Sequence, residues 1–167
     1  HFPFTKAHDL APDYSFSRFC PLLFFVGNHT MLKVFVYGTL QPGEANFPRY
    51  CAPYHPHIEK AFIPGKLYQL PVGYPALTPE PGWVEGCLLR FRDPNVLGKL
   101  DVLEDYQPGR SPSLNEYQRR QAPVYTETKT LLTEAWVYGM TPEKVAQLGG
   151  TPFSGSRWTA NQNFSNF

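Results

Sequence analysis

The chain has 167 residues, which suits one domain, and 42% of them are hydrophobic, which excludes a disordered polymer. Fifteen basic against fourteen acidic residues leave a net charge of +1, so no charge field points to nucleic acid or to an anionic membrane. No apolar stretch reaches membrane-span length, and 18 prolines with 13 glycines predict short strands and many turns rather than a helical bundle.

In chain order, residues 1–30 show neither helical nor strand periodicity, and Met31 stands directly before the first strand pattern. The expected domain therefore runs over 31–150, with 1–30 an extension outside the fold and 151–167 a loosely ordered tail. A secretory signal over "FCPLLFFVG" is the rival reading, but Pro21 interrupts the short apolar run and no small-residue cleavage site follows. Cys20, Cys51 and Cys87 are odd in number and widely spaced, which speaks against a disulfide framework and for reduced thiols in a cytoplasmic protein. None of the three has the local context of a catalytic cysteine.

Residues 32–37 read as a strand buried on both faces, because the apolar run is nearly continuous. It stops at Gly38-Thr39-Leu40, whose amides have no obvious sheet partner. Consecutive free amides form a concave donor set for a carboxylate or oxyanion; an ordinary turn is the other reading. A phosphate loop is excluded, since Glu44-Ala45 stands where Lys-Ser/Thr is needed. Residues 41–57, rich in proline and aromatics, form a long loop of the kind that is functional or a lid. Within it Cys51, His55 and His57 lack a fourth ligand, so no metal site is expected.

Residues 65–70 form a short strand, 71–77 a turn on Gly73 and Pro75, and 82–91 a strand with Trp83, Glu85, Cys87, Leu89 and Phe91 on one face. Asp93-Pro94 then predicts a helix start, with the helix ending near Asp105-Tyr106. Two long strands follow at 116–127 and 129–140. Thr141-Pro142-Glu143 opens a short helix that stops at Gly149-Gly150. The pattern predicts a mixed or antiparallel sheet curled into a small barrel, with a helix at one side.

On the first helix Leu97, Leu100 and Glu104 share a stripe that faces the core, and Glu104 is its charged member. Desolvation and the negative end of the helix dipole both raise a carboxyl pKa there, which suits a proton shuttle. Two other readings stay open: Glu104 is solvated beyond the helix end, or it pairs with Arg119, Arg120 or Lys99.

Together, "VFVYGTLQPGE", "GKLYQL…GYPAL", "VEGCLLRF", "LDVLEDY", "EYQRRQAPV" and "AWVYG" resemble, in order, the motifs of the γ-glutamylcyclotransferase-like family, in its small avirulence-induced-gene branch. The resemblance runs from Met31 to about Met140. It implies an α+β fold, a small mixed β-barrel with flanking helices, and a cavity between the Y-G-T-L loop and the helix-end glutamate. It also implies that Glu104 is the general acid/base, and that Tyr37, Gly38, Thr39 and Leu40 form the substrate-binding turn. Tyr117 and Tyr138 become pocket candidates. The implied reaction is cyclisation of a γ-glutamyl amine or amino acid to 5-oxoproline, with loop amides or a tyrosine hydroxyl steadying the oxyanion. No cofactor or metal is required, and the implied partner is a small γ-glutamyl molecule, not nucleic acid or membrane. A non-catalytic small-ligand module on the same fold is the alternative, and an unrelated β-rich interaction domain a third.

Overall fold

The computed structural model describes residues 30–161. The extension expected over 1–30 therefore lies, apart from Thr30, outside the described residues, as do Cys20 and residues 162–167. Strand β1 (Leu32–Val36) has the run of β-branched and aromatic residues that suits a strand buried on both sides. It pairs antiparallel with β3 (Pro75–Phe91), from Leu32 opposite Phe91 to Val36 opposite Cys87, and parallel with β5 (Leu131–Gly139) through Val34 and Trp136. β5 runs antiparallel to β4 (Gln118–Tyr125), and β4 meets β2 (His57–Gln69) at Tyr125 and Phe62. β2 returns along β3 in a long hairpin, so five strands close into a mixed barrel, as predicted.

The hairpin is longer than its sequence signals. Pro64, Pro79 and Pro81 interrupt the apolar pattern, yet the strands continue through them. Pairing shifts between Pro64 and Lys66, so that Pro64 faces Trp83 and Lys66 faces Thr78, and residues 79–82 bulge out unpaired. A bulge tolerates a residue without an N–H, and a φ near −65° fits extended chain.

Alternate residues of β1 face two cores. Phe35 and Tyr37 point into the barrel with Ile63, Leu77, Leu88 and Val137. Val34 and Val36 face outward, with Leu89, Phe91, Val96 and Leu100, beneath α2 (Val96–Leu103). That two-sided burial explains the unbroken apolar run. The barrel wall is tight at Gly86, where a Cβ would lie 2.3 Å from the Val36 carbonyl oxygen.

Helix α2 starts two residues later than Asp93-Pro94 suggests; the Asp93 carboxylate instead accepts from the Asn95 amide at 2.8 Å, capping the turn that leads in. The 41–57 segment folds into a short helix, α1 (Phe47–Tyr50), and a 3₁₀ turn at Ala52–Tyr54. The second predicted helix is α3 (Pro142–Gln147), with Thr141 Oγ1 accepting from the Lys144 amide at 3.1 Å.

The described part of the tail corrects an expectation. Thr151–Pro152 adds a two-residue strand, β6, to the edge of β2. Trp158 is buried in the barrel core, and its Nε1 donates to Gln69 Oε1 at 2.8 Å. A loosely ordered tail was expected; here one of its aromatics joins the barrel core, and apolar burial of a whole indole orders the segment that carries it.

Candidate functional site

Where β1 ends, its last residues turn over a cavity of about 120 Å³. One wall is Tyr37, Gly38, Thr39 and Leu40; the others bring Glu104, Tyr117 and Tyr138, together with Asn46, Tyr74 and Glu116. Every residue that the sequence reading placed at a site thus lines one cavity. Asn46, Tyr74 and Glu116 were missed.

Glu104 is there because α2 ends on it. Its amide still donates to the Leu100 carbonyl at 2.9 Å, and Asp105 follows with φ +49°, so the chain leaves the helix in a left-handed turn. The returning segment then fixes both residues: the Tyr117 amide donates to the Glu104 carbonyl at 3.3 Å and the Glu116 amide to the Asp105 carbonyl at 3.2 Å. Buried Asn115 holds that return by accepting from the Gln107 amide at 3.1 Å and from Arg110 Nε at 2.5 Å. Glu116 consequently enters the cavity beside Glu104, with the Tyr74 hydroxyl donating to it.

Glu104 is half-buried in the cavity wall. Burial first, and the Glu116 charge second, push its pKa up from 4.5 to about 8. No salt bridge is made by Glu104 among the described residues; the predicted partner Arg119 pairs instead with Asp101, at 2.6 Å. The ion pair is buried at the base of α2, and the Tyr138 hydroxyl donates to the other Asp101 oxygen at 2.7 Å. The Arg119 guanidinium also stacks on Tyr106 and Trp136, at 5.0 and 4.5 Å from their ring centroids. Asp101 therefore fastens the helix to the barrel one turn before Glu104.

The opposite wall is made of unused donors. Among the described residues, the Gly38, Thr39 and Leu40 amides donate to no backbone or side-chain acceptor, whereas the Gly38 and Thr39 carbonyls accept from Gln41 N at 3.0 Å and Asn46 N at 2.9 Å. Gly38 also packs on Pro75, where a Cβ would come within 2.9 Å of Cγ.

The tyrosines need a correction. A phenol has one proton, and each is already committed: Tyr37 to the Tyr138 carbonyl, Tyr117 to the Pro75 carbonyl and Tyr138 to Asp101, all at 2.7 Å. Burial pushes all three pKa values up, so these groups stay neutral. They build walls, and none of the three has a hydroxyl proton left for a ligand. Cys51 is buried away from His55 and His57, which lie on the surface, and burial raises its thiol to about 12.

A family model described as "Gamma-glutamyl cyclotransferase, AIG2-like" matches residues 34–160, well over half of the chain and spanning both walls of the cavity. The chain belongs to this family. Among solved structures, an AIG2-like protein from Mus musculus is similar at 23% identity and a TM-score of 0.58, covering 77% of this chain and 88% of that one. YkqA from Bacillus subtilis is similar at 22% identity and a TM-score of 0.53 over 77% of this chain, which spans only 39% of the Bacillus protein. An Arabidopsis thaliana protein solved in solution is similar at 19% identity and a TM-score of 0.51, covering 77% of this chain and 70% of that one. At these identities the likeness shows the fold. No curated protein matches the chain by sequence.

The motifs of this γ-glutamyl cyclotransferase family member now have physical readings. In "LDVLEDY", Asp101 anchors, Glu104 faces the cavity and Tyr106 stacks on the anchoring arginine. In "EYQRR", Glu116 and Tyr117 line the cavity and Arg119 closes the ion pair. Two acids spaced three apart on one helix were the available signal for Asp101, since both fall on the inward stripe. No helix among the described residues is long and apolar enough to cross a membrane.

Proposed function

We propose that the protein cyclises γ-glutamyl amines or γ-glutamyl amino acids to 5-oxoproline, with release of the amine. The observation that carries this is a desolvated carboxyl, Glu104, and a run of unpaired amides at Gly38–Leu40 lining one small cavity. Family membership supports the reaction class, the family being generally enzymatic.

A γ-glutamyl amide contains its own nucleophile, but its α-amine is protonated near neutral pH. The Glu104 carboxylate takes that proton. The freed amine attacks the γ-carbonyl carbon, closing a five-membered ring, and the carbonyl oxygen becomes an oxyanion. Among the described residues no Arg, Lys or His lines the cavity, so the loop amides, with the Thr39 hydroxyl and the Asn46 carboxamide beside them, carry the recognition of the α-carboxylate and the oxyanion. The C–N bond to the leaving amine breaks as Glu104 returns the proton to that nitrogen, and the proton still in excess on the ring nitrogen passes by the same carboxylate to the amine, which departs as ammonium. Because attack is intramolecular, confinement in a cavity of about 120 Å³ supplies much of the acceleration by restricting the substrate to ring-closing conformers. Every step is served by protein groups and substrate.

Incubation with a panel of γ-glutamyl amines and γ-glutamyl amino acids, with 5-oxoproline as the readout, tests the proposal. Glu104→Gln keeps the shape and removes the base, so turnover falls by about 10³-fold or more while the thermal melt is retained. Undiminished turnover in that variant rules Glu104 out as the base. Ligand-induced stabilisation by the whole panel without any 5-oxoproline assigns the site to a binding module instead.

A further inference from the structure

Gln41 is a polar side chain only 2% exposed, placed directly behind the turn that lines the cavity, and it is not itself a lining residue. Its Nε2 meets three backbone carbonyls: Tyr37 at 2.7 Å, Trp158 at 3.0 Å and Gly38 at 3.3 Å. With three acceptors around it, that atom must be the nitrogen rather than the oxygen. The backbone amide of Gln41 adds a fourth contact, donating to the Gly38 carbonyl at 3.0 Å.

The consequence follows from peptide geometry. In a trans peptide the C=O and the next N–H point in opposite directions, and there is no cis bond among the described residues. Drawing the Tyr37 and Gly38 carbonyls back onto Gln41 therefore turns the Gly38 and Thr39 N–H groups the other way. Those two amides are among the three that have no protein acceptor among the described residues, and both residues line the cavity.

We infer that Gln41 is a positioning residue: its carboxamide, backed by the Trp158 carbonyl, aims the Gly38 and Thr39 amides into the cavity and so converts a turn into a cradle for a carboxylate or oxyanion. The identity of what the cradle holds rests on the proposed function; the aiming itself does not. The device has a visible weakness. Nε2 has two hydrogens for three carbonyls, while Oε1 is buried with no partner among the described residues. A lysine ammonium brings three donors and no acceptor to orphan, at the cost of burying a charge without a counter-ion on a chain one bond longer.

The test uses the full chain, isotope-labelled, as wild type, Gln41→Met and Gln41→Lys. Residual dipolar couplings report the directions of the Gly38 and Thr39 N–H bonds, and 5-oxoproline added as a probe reports binding through the shifts of those amides. Gln41→Met, which keeps length and loses every donor, changes both couplings while those of the β2–β3 hairpin stay put, and weakens 5-oxoproline binding about tenfold. Gln41→Lys restores the couplings and the binding. Unchanged couplings in Gln41→Met overturn the inference. If that variant does not fold, Gln41→Lys decides alone: wild-type couplings support the aiming role and altered ones overturn it. Couplings that respond as expected in a protein that ignores 5-oxoproline uphold the aiming role and count against the γ-glutamyl reading of the cavity.

Discussion

At Glu104 the shift that opposes stability is also the one on which the proposed reaction draws. Its pKa rises from 4.5 to about 8 in the folded protein, chiefly through burial and then through the Glu116 charge. The folded state therefore keeps a proton that the unfolded chain releases, so stability falls as pH rises from about 4.5 to 8 and levels off above. Glu104→Gln removes that penalty: urea melts place it about 1–3 kcal/mol above wild type at pH 8, a discount on the full linkage for the cavity's solvent, and level with wild type near pH 4. In the proposed reaction the same group must be ionised to accept the ammonium proton. The acid limb of kcat/KM is accordingly expected near pH 8, and Glu116→Gln moves it to lower pH by removing a neighbouring negative charge. Sequence alone reached Glu104 through its place on an apolar stripe. It could not reach Glu116, which comes to the site on a loop and not on any periodic face.

The element that matters most for the site is α2, eight residues long and too short to be stable alone. Tertiary contacts hold it, and the strongest is the pair between Asp101 and Arg119, whose side chains are 12% and 14% exposed. Asp101→Ala leaves a guanidinium buried without its partner and the Tyr138 hydroxyl without its acceptor. Denaturant unfolding is expected to register a loss of about 3–5 kcal/mol. Activity falls as well, since Glu104 sits one turn along the loosened helix. The helix itself was legible from Asp93-Pro94 and the leucine spacing. Its anchor was not: Asp101 and Arg119 are far apart in the chain, and which of several cations meets which of two acids is settled by how β4 lies against the helix.

For the whole molecule the barrel is closed by the β2–β3 hairpin and its end is filled by Trp158, from a segment that the sequence marked as tail. Trp158→Ala empties the space of an indole and frees Gln69 Oε1. Calorimetry is expected to show a loss of about 3–5 kcal/mol. Because the Trp158 carbonyl also meets Gln41, the effect extends to the cavity-lining turn. The fold class, the first strand and both main helices were legible in the chain alone, because each is written in local terms: side-chain period, capping residues, a motif order. The tertiary structure alone decided the length of the hairpin, the filling of the barrel by the tail, and the partners of Arg119. It also decided the commitment of the tyrosine hydroxyls lining the cavity and the hydrogen bonding of the loop backbone. Those depend on which donor meets which acceptor across the closed barrel, and a hydrogen bond between distant residues leaves no periodic trace in the chain that makes it.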